Sequence, residues 1–229
     1  MIAKNILKIS ARIEKAAIRA GRDPSEVTLV CVSKTVDARA AMAAVEAGGV
    51  NLGESRAQEA RRKFEKIGDR AIWHMIGYLQ TNKAKYCPGL FSLVHSIDRV
   101  ELVHELARRA GMAGAPIDGL LQVNISGEKS KHGCAPSEAA DILKIAAREK
   151  WLNIKGLMTI APYNEEPDRS RPVYRSLLEL RDDIIKVGIE EVSMDIISAG
   201  MTNDFEVAIE EGATMVRVGT AIFGERNYD

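Results

Sequence analysis

Apolar residues recur at Ile2, Ile6, Ile9, Ile13 and Ala17, every three or four positions, with polar residues between them. That is the period of an α-helix with one buried face, so the N-terminal stretch is expected to be an amphipathic first helix. It lacks the compact apolar core and small-residue cleavage site of a secretory leader, and it carries Glu14, which a transit peptide avoids. From Val27 the pattern changes. "VTLVCVS" is a short apolar run rich in β-branched residues and predicts a strand, and "DARAAMAAVEAGG" predicts a helix with Asp37 as cap and Gly48 as stop. The alternation then repeats. "VNLGE" precedes the helical "SRAQEARRKFEKIG", "IWHMIG" precedes a short helix in "LQTNKAKY", and "LFSLVHSI" precedes "DRVELVHELARRAG", capped by Asp98. "DGLLQVNI" is followed by the polar loop "SGEKSKHG" and by "PSEAADILKIAAREK", where Pro136 suits a first helical turn. "IKGLMTI" leads through a loop with Pro162 and Pro167 into "RSLLELRDDIIKVG", "VSMDIIS" leads into "DFEVAIEEG", and "TMVRVGTAIFG" is the eighth strand.

Strands that are apolar on both faces belong to a parallel sheet covered by helices. Eight such units behind one extra N-terminal helix predict a single (β/α)8 TIM-type barrel over residues 1–229. An open doubly wound sheet would place a GxGxxG after its first strand, and none is there. Lys+Arg and Asp+Glu are equal at 32 each, so bulk charge offers no pull toward nucleic acid or an anionic membrane. The three cysteines, Cys31, Cys87 and Cys134, form no CxxC, and the four histidines form no HxxxH. A disulfide framework or zinc site is therefore not expected, and a reducing cytoplasm is. No apolar run is long enough to span a bilayer.

In a (β/α)8 barrel the chemistry sits at the C-terminal strand ends. Here those positions hold Ser33 and Lys34, then Gly53, Glu54 and Ser55, then His74 and Gly77, Asn124, Met158 and Thr159, Ser198, Gly200 and Thr202, and Arg217, Gly219 and Thr220. "SAGMTND" and "RVGTAIFG" combine glycines, which admit close approach to backbone N–H groups, with hydroxyls, on the two strands where barrels commonly hold phosphate. The helix starting near Asn203 is expected to point its positive end there. Arg217 lies two residues before Gly219 and shares its face. That face is either the barrel interior, where a guanidinium needs an anion or strong acceptor, or the outside, where a surface Glu would pair it. Lys34 by itself reads as a lysine reaching for water at a strand end. Beside a phosphate cradle it gains a second meaning, because an amine desolvated in an apolar mouth forms Schiff bases. His74 either lines the mouth or is a bonded core histidine. Lys131 sits on the polar loop, and the "ARRKFEK" run reads as a solvated helix face.

The segments "LVCVSKT", "LGESRAQEA", "WHMIGYLQTNKAKY", "SIDRVELVHEL", "LLQVNISGEKSKHG", "IKGLMTIAP" and "ISAGMTNDFEVAIEEGATMVRVGTAIFGER" strongly resemble the pyridoxal-phosphate homeostasis protein family, the YggS/PROSC-like proteins. The resemblance covers nearly the whole chain. It implies a fold related to the N-terminal barrel of alanine racemase and pyridoxal 5′-phosphate held covalently on Lys34. It implies a binding set of Lys34, Ser55, His74, Ser198, Gly200, Met201, Arg217, Gly219 and Thr220, with phosphate at Ser198, Gly219 and Thr220 and Arg217 facing the pyridine nitrogen. The family commonly reads GEN and SMGMS where this chain reads Gly53-Glu54-Ser55 and Ser198-Ala199-Gly200-Met201-Thr202.

An arginine at the ring nitrogen stays charged and cannot hand over a full proton, so the ring is a poor electron sink. Racemisation also needs a second acid/base on the opposite face, which resemblance assigns in alanine racemase to a tyrosine of a second domain or subunit. The sequence stops soon after strand eight, with Tyr78 and Tyr228 as nominal candidates. The expected function is thus a monomeric cytoplasmic carrier or buffer of pyridoxal phosphate, taking part in vitamin B6 and amino-acid homeostasis. Its partners would be the cofactor and pyridoxal-phosphate-dependent apo-enzymes, with no nucleic acid or membrane. The alternatives are a small racemase, a Schiff-base aldolase for a sugar phosphate, or an interaction barrel with an incidental phosphate pocket.

Overall fold

In the computed structural model, which describes residues 1–225, the eight apolar runs form parallel strands that pair in chain order and close into a barrel. The strands are β1 (Thr28–Val32), β2 (Asn51–Glu54), β3 (Ile72–Met75), β4 (Leu93–Ile97), β5 (Ile117–Gln122), β6 (Leu152–Met158), β7 (Val192–Ser198) and β8 (Met215–Val218). The helices are α1 (Ile2–Arg19), α2 (Ala38–Glu46), α3 (Ala57–Ile67), α4 (Val100–Ala113), α5 (Ala139–Ala146), α6 (Arg171–Val187), α7 (Phe205–Glu210) and α8 (Thr220–Phe223). Closure is made by β1 against β8, with Thr28 opposite Met215, Val30 opposite Arg217 and Cys31 opposite Val218.

Successive strand residues alternate between the barrel interior and the helix layer. Val30, Leu93, Leu120, Met158 and Met215 meet inside the barrel. The larger apolar cluster, with Trp73, Tyr174 and Phe205, lies between strands and helices. The α1 stripe is buried as its spacing predicts, through Ile6, Ile9, Ile13, Ala16 and Ala17. Each buried isoleucine contributes about 1.5–3 kcal/mol, against a few tenths for surface ion pairs such as Arg19–Glu210. With the side-chain amide of Asn5 donating to Ile222 O at 2.9 Å, α1 packs against α2, α7 and α8.

Four local expectations change. Strand eight stops at Val218, and Thr220–Phe223 turns into α8, with Gly219 before its first turn. "LQTNKAKY" is a 3₁₀ turn over Thr81–Tyr86. Helix α4 starts after Arg99, and the Asp98 carboxylate accepts from the Arg99 guanidinium instead of capping. Helix α7 spans only six residues and begins at Phe205, with Asp204 before it. Among the described residues no helix is long and apolar enough to cross a membrane.

Candidate functional site

Val30 faces the barrel interior, and Lys34 follows two residues after the end of β1, in the turn at the strand's C-terminal mouth. Lys34 is half-buried there, and among the described residues its amine has no hydrogen bond or ion pair. Deeper in the barrel, opposite Val30, lies Arg217, only 3% exposed. Its NH1 donates to Ser198 Oγ at 2.6 Å and its NH2 to Thr159 O at 2.8 Å. A guanidinium has five N–H donors, so donors remain for a ligand. Burial pulls its pKa down to about 10, opposed by Tyr174 and Asp204, and it stays a cation at neutral pH.

A polar column continues from Ser198 across the interior. Ser198 Oγ lies 2.9 Å from His95 Nδ1, His95 Nε2 lies 3.0 Å from His74 Nδ1, and His74 Nε2 lies 3.1 Å from Asn51 Oδ1. With the Asn51 oxygen accepting, one assignment satisfies every atom. His74 and His95 both carry their proton on Nε2, Ser198 donates to His95, and Arg217 donates to Ser198. Burial keeps both rings neutral. It lowers the His74 pKa to about 4 and holds that of His95 well below its ordinary value, with the His74 and Arg217 charges adding to the effect.

Between β7 and β8 the rim is glycine-rich. Gly200 has φ +86°, and a Cβ there would lie 2.6 Å from Ala208 Cβ and 2.8 Å from Phe205 Cα, so only glycine lets the chain pass this close to α7. The Met201 N–H donates to Asp204 Oδ1 at 2.8 Å, while Tyr174 Oη donates to Asp204 Oδ2 at 2.7 Å. The start of α7 thus already has its anion. The Gly219 N–H is only loosely engaged, 3.4 Å from Thr202 Oγ1. Thr220 is exposed at the first position of α8, where opening N–H groups lack intrahelical acceptors.

Arg217, Ser198 and His74 therefore share the inner wall, Lys34 lies at the C-terminal mouth above β1, and Gly200, Met201, Gly219 and Thr220 lie on the β7–β8 rim. The Ser198 hydroxyl is turned inward to His95 and Arg217. His74 is bonded on both ring nitrogens. Ser55 lies past β2, packed on Gly77, whose added Cβ would sit 2.5 Å from Ser55 O. It lines a cavity of about 430 Å³ with Arg56, Gln58, Tyr78 and Lys83, beside the mouth and without Lys34 in its walls. Tyr78 stacks on His132 and lies under the Arg99 guanidinium, while Tyr228 falls outside the described residues. Asn124 organises the polar loop: its amide donates to Glu128 O and its oxygen accepts from the Gly127 N–H.

The run "ARRKFEK" is not a solvated face throughout. Lys63, 5% exposed, donates to Glu54 Oε1 at 2.7 Å and Glu59 Oε1 at 2.8 Å. It follows Ala60 by three positions and precedes Ile67 by four, so the helical period already put it on the buried stripe. Burial raises the Glu54 pKa, against the pull of Lys63. His95 was legible as well, two positions after the inward Leu93.

The comparisons with known proteins agree with this architecture. Residues 5–227 match the family model described as alanine racemase, N-terminal domain, which sets the class of barrel. A pyridoxal phosphate homeostasis protein of Aquifex aeolicus is 41% identical over 226 residues, 98% of each chain. One of Pseudomonas aeruginosa is 40% identical over 228 residues, 99% of this chain and 96% of its own. PipY of Synechococcus elongatus, solved with PLP bound, superposes with a TM-score of 0.85 at 30% identity, covering 98% of this chain and 100% of PipY. This chain belongs to the pyridoxal phosphate homeostasis protein family.

Proposed function

We propose that this protein binds pyridoxal 5′-phosphate covalently on Lys34 and carries or buffers it for apo-enzymes that need it, in vitamin B6 and amino-acid homeostasis, without robust catalysis of its own. The observation that carries the reading is the unpaired Lys34 amine at the C-terminal mouth of the barrel whose inner wall holds the buried Arg217. The residues present fit the group. Lys34 would supply the amine, Arg217 has N–H donors to spare, and Gly219 and Thr220 would meet the phosphate at the β7–β8 rim. Ser198 would act by orienting Arg217, since its own hydroxyl is already bonded.

Bound pyridoxal phosphate supplies an aldehyde that condenses reversibly with an amine. The chain's own residues do the rest. The neutral His95 and Ser198 hold Arg217 in place, and Arg217 remains charged at neutral pH, so it donates hydrogen bonds without releasing its proton. Such a partner leaves a pyridine nitrogen unprotonated and keeps the ring a poor electron sink, which favours holding over turnover. The names of the relatives support the same reading, and PipY was solved with PLP bound.

The test is an absorbance titration of purified protein with pyridoxal phosphate, before and after borohydride, followed by peptide mass analysis. The parent should show a visible band that borohydride removes, with cofactor mass on the Lys34 peptide, and Lys34→Ala should show neither. Loaded protein should restore activity to an apo-enzyme. A band that persists in Lys34→Ala would refute the anchor, and rapid exchange of an amino acid's α-proton by the parent would refute the non-catalytic reading.

A further inference from the structure

Lys34 stands between two anchored peptide groups. The carbonyl of Ser33 accepts from Lys63 Nζ at 2.6 Å, and the N–H of Thr35 donates to Glu59 Oε1 at 2.6 Å. Both anchors project from α3 four residues apart, and they bond each other at 2.8 Å. Behind them Glu54, fully buried, accepts from Lys63 Nζ and from Ser33 Oγ, each at 2.7 Å. Between the anchors Thr35 sits at φ +63°. A β-branched residue rarely adopts that conformation, and it persists only where its surroundings over-determine it. Among the described residues one other non-glycine has positive φ, Glu191, and it lies just before β7, at the N-terminal end of its strand. The mouth thus holds one left-handed non-glycine residue, and it is the residue after Lys34.

Packing alone does not call for this arrangement. An apolar residue at position 63 would fill the seam between α3 and the barrel as well as a buried ion cluster, and such clusters are often neutral or costly for stability. What an apolar residue would not do is hold the Ser33 carbonyl while its neighbour holds the Thr35 N–H.

We propose that Glu59 and Lys63, backed by Glu54, are positioning residues for Lys34: they clamp the peptide groups on both sides of it, hold Thr35 in the left-handed turn, and so present the amine to the barrel mouth. The proposal rests on Lys34 being the residue that takes the cofactor aldehyde.

The experiment compares the parent with Glu59→Leu, Glu59→Gln, Lys63→Met, Thr35→Gly and the double variant Glu59→Leu/Thr35→Gly. It reads the Kd for pyridoxal phosphate, amide hydrogen exchange at Thr35 in cofactor-free protein, and the melting temperature. Glu59→Leu and Lys63→Met should each weaken binding about tenfold, equivalent to ~1.4 kcal/mol, and speed exchange at Thr35. Glu59→Gln keeps an acceptor for the Thr35 N–H and should bind within about threefold of the parent, the spread of an ordinary neutral-for-charged hydrogen-bond exchange. Glycine takes positive φ without support, so Thr35→Gly should restore most of the affinity lost in Glu59→Leu. A merely structural role would lower the melting temperature and gain nothing from glycine at position 35. If the buried Lys63→Met fails to fold, Glu59→Leu, nearer the surface, carries the comparison. Parent-like affinity in Glu59→Leu, or a double variant no better than the single one, overturns the clamp alone. A parent that forms no borohydride-fixed adduct on Lys34 overturns the cofactor reading, and the clamp's purpose with it.

Discussion

Mild acid should destabilise this barrel well before its carboxylates titrate. His74 is 3% exposed and bonded on both ring nitrogens as a neutral ring, and burial lowers its pKa to about 4. In the unfolded chain the same ring titrates near ~6.5. Between those values the unfolded state binds a proton that the folded state refuses, so stability falls as pH falls, by ~1.4 kcal/mol per pH unit per group. From pH 7.5 to 5, His74 alone removes about 2 kcal/mol. His95 is fully buried, is lowered further, and acts with the same sign. The loss from His74 alone is already a sizeable share of the ~5–15 kcal/mol that holds a typical domain, and His95 adds to it. Glu105, with a pKa near 2, and the lowered Glu210 and Glu211 lose their contribution only as pH drops through and below the ordinary carboxylate range. Glu54, whose pKa is raised, acts in the opposite sense, but it is common to every variant compared. The assay is urea unfolding at pH 7.5, 6 and 5 for the parent, His74→Gln and His74→Gln/His95→Gln. The parent should lose at least about 2 kcal/mol over this range, the single variant less and the double variant least. Equal losses in the parent and the double variant would refute the neutral-column argument.

Two further outcomes follow from backbone geometry and burial. Gly156 has φ +152° at a register shift between β6 and β7, and an added Cβ would sit 1.8 Å from Ile196 O. Gly156→Ala should cost about 3 kcal/mol or more in chemical denaturation, because a main-chain atom cannot yield as a side chain does. Gly114→Ala, at φ +67° with open space around it, should cost only about 1 kcal/mol, and equal costs would contradict the clash. Burial pushes the thiols of Cys31, Cys87 and Cys134 up to about 12. A disulfide reagent at pH 8 should therefore find no fast thiol in the native protein and three in urea, and one fast native thiol would count against the packing at that cysteine.

The charge on Arg217 matters as much as its position. A guanidinium this deeply buried is kept charged because Ser198 and Thr159 accept from it, because Asp204 favours its charge, and because His95, its titratable neighbour in the column, stays neutral. A protonated His95 would set a second cation against it. The same burial that makes the histidines acid-sensitive therefore preserves the cationic donor that the proposed cofactor needs.

Much of this was written in local periodicity. The spacing of Ile6, Ile9 and Ile13 fixed the buried face of α1, and the strand-like run from Thr28 to Val32 put Lys34 just past a strand's C-terminal end. A step of two tied Arg217 to Gly219 but left open which side they share. Closure of β8 on β1 decided it by setting Arg217 opposite Val30. Lys63 was placed on the buried stripe of α3 by its own helix, yet its partner Glu54 lies on β2 and the peptide it holds follows β1. The left-handed Thr35 has no sequence signature, since nothing in a Ser-Lys-Thr run asks for positive φ. Nor could the chain announce that His95 meets Ser198, 103 residues away. A residue's face is set by the backbone repeat of its own element, which a short window of sequence contains. Its polar partner is set by which elements the closed barrel brings side by side, and that depends on strand pairing and register over the whole chain.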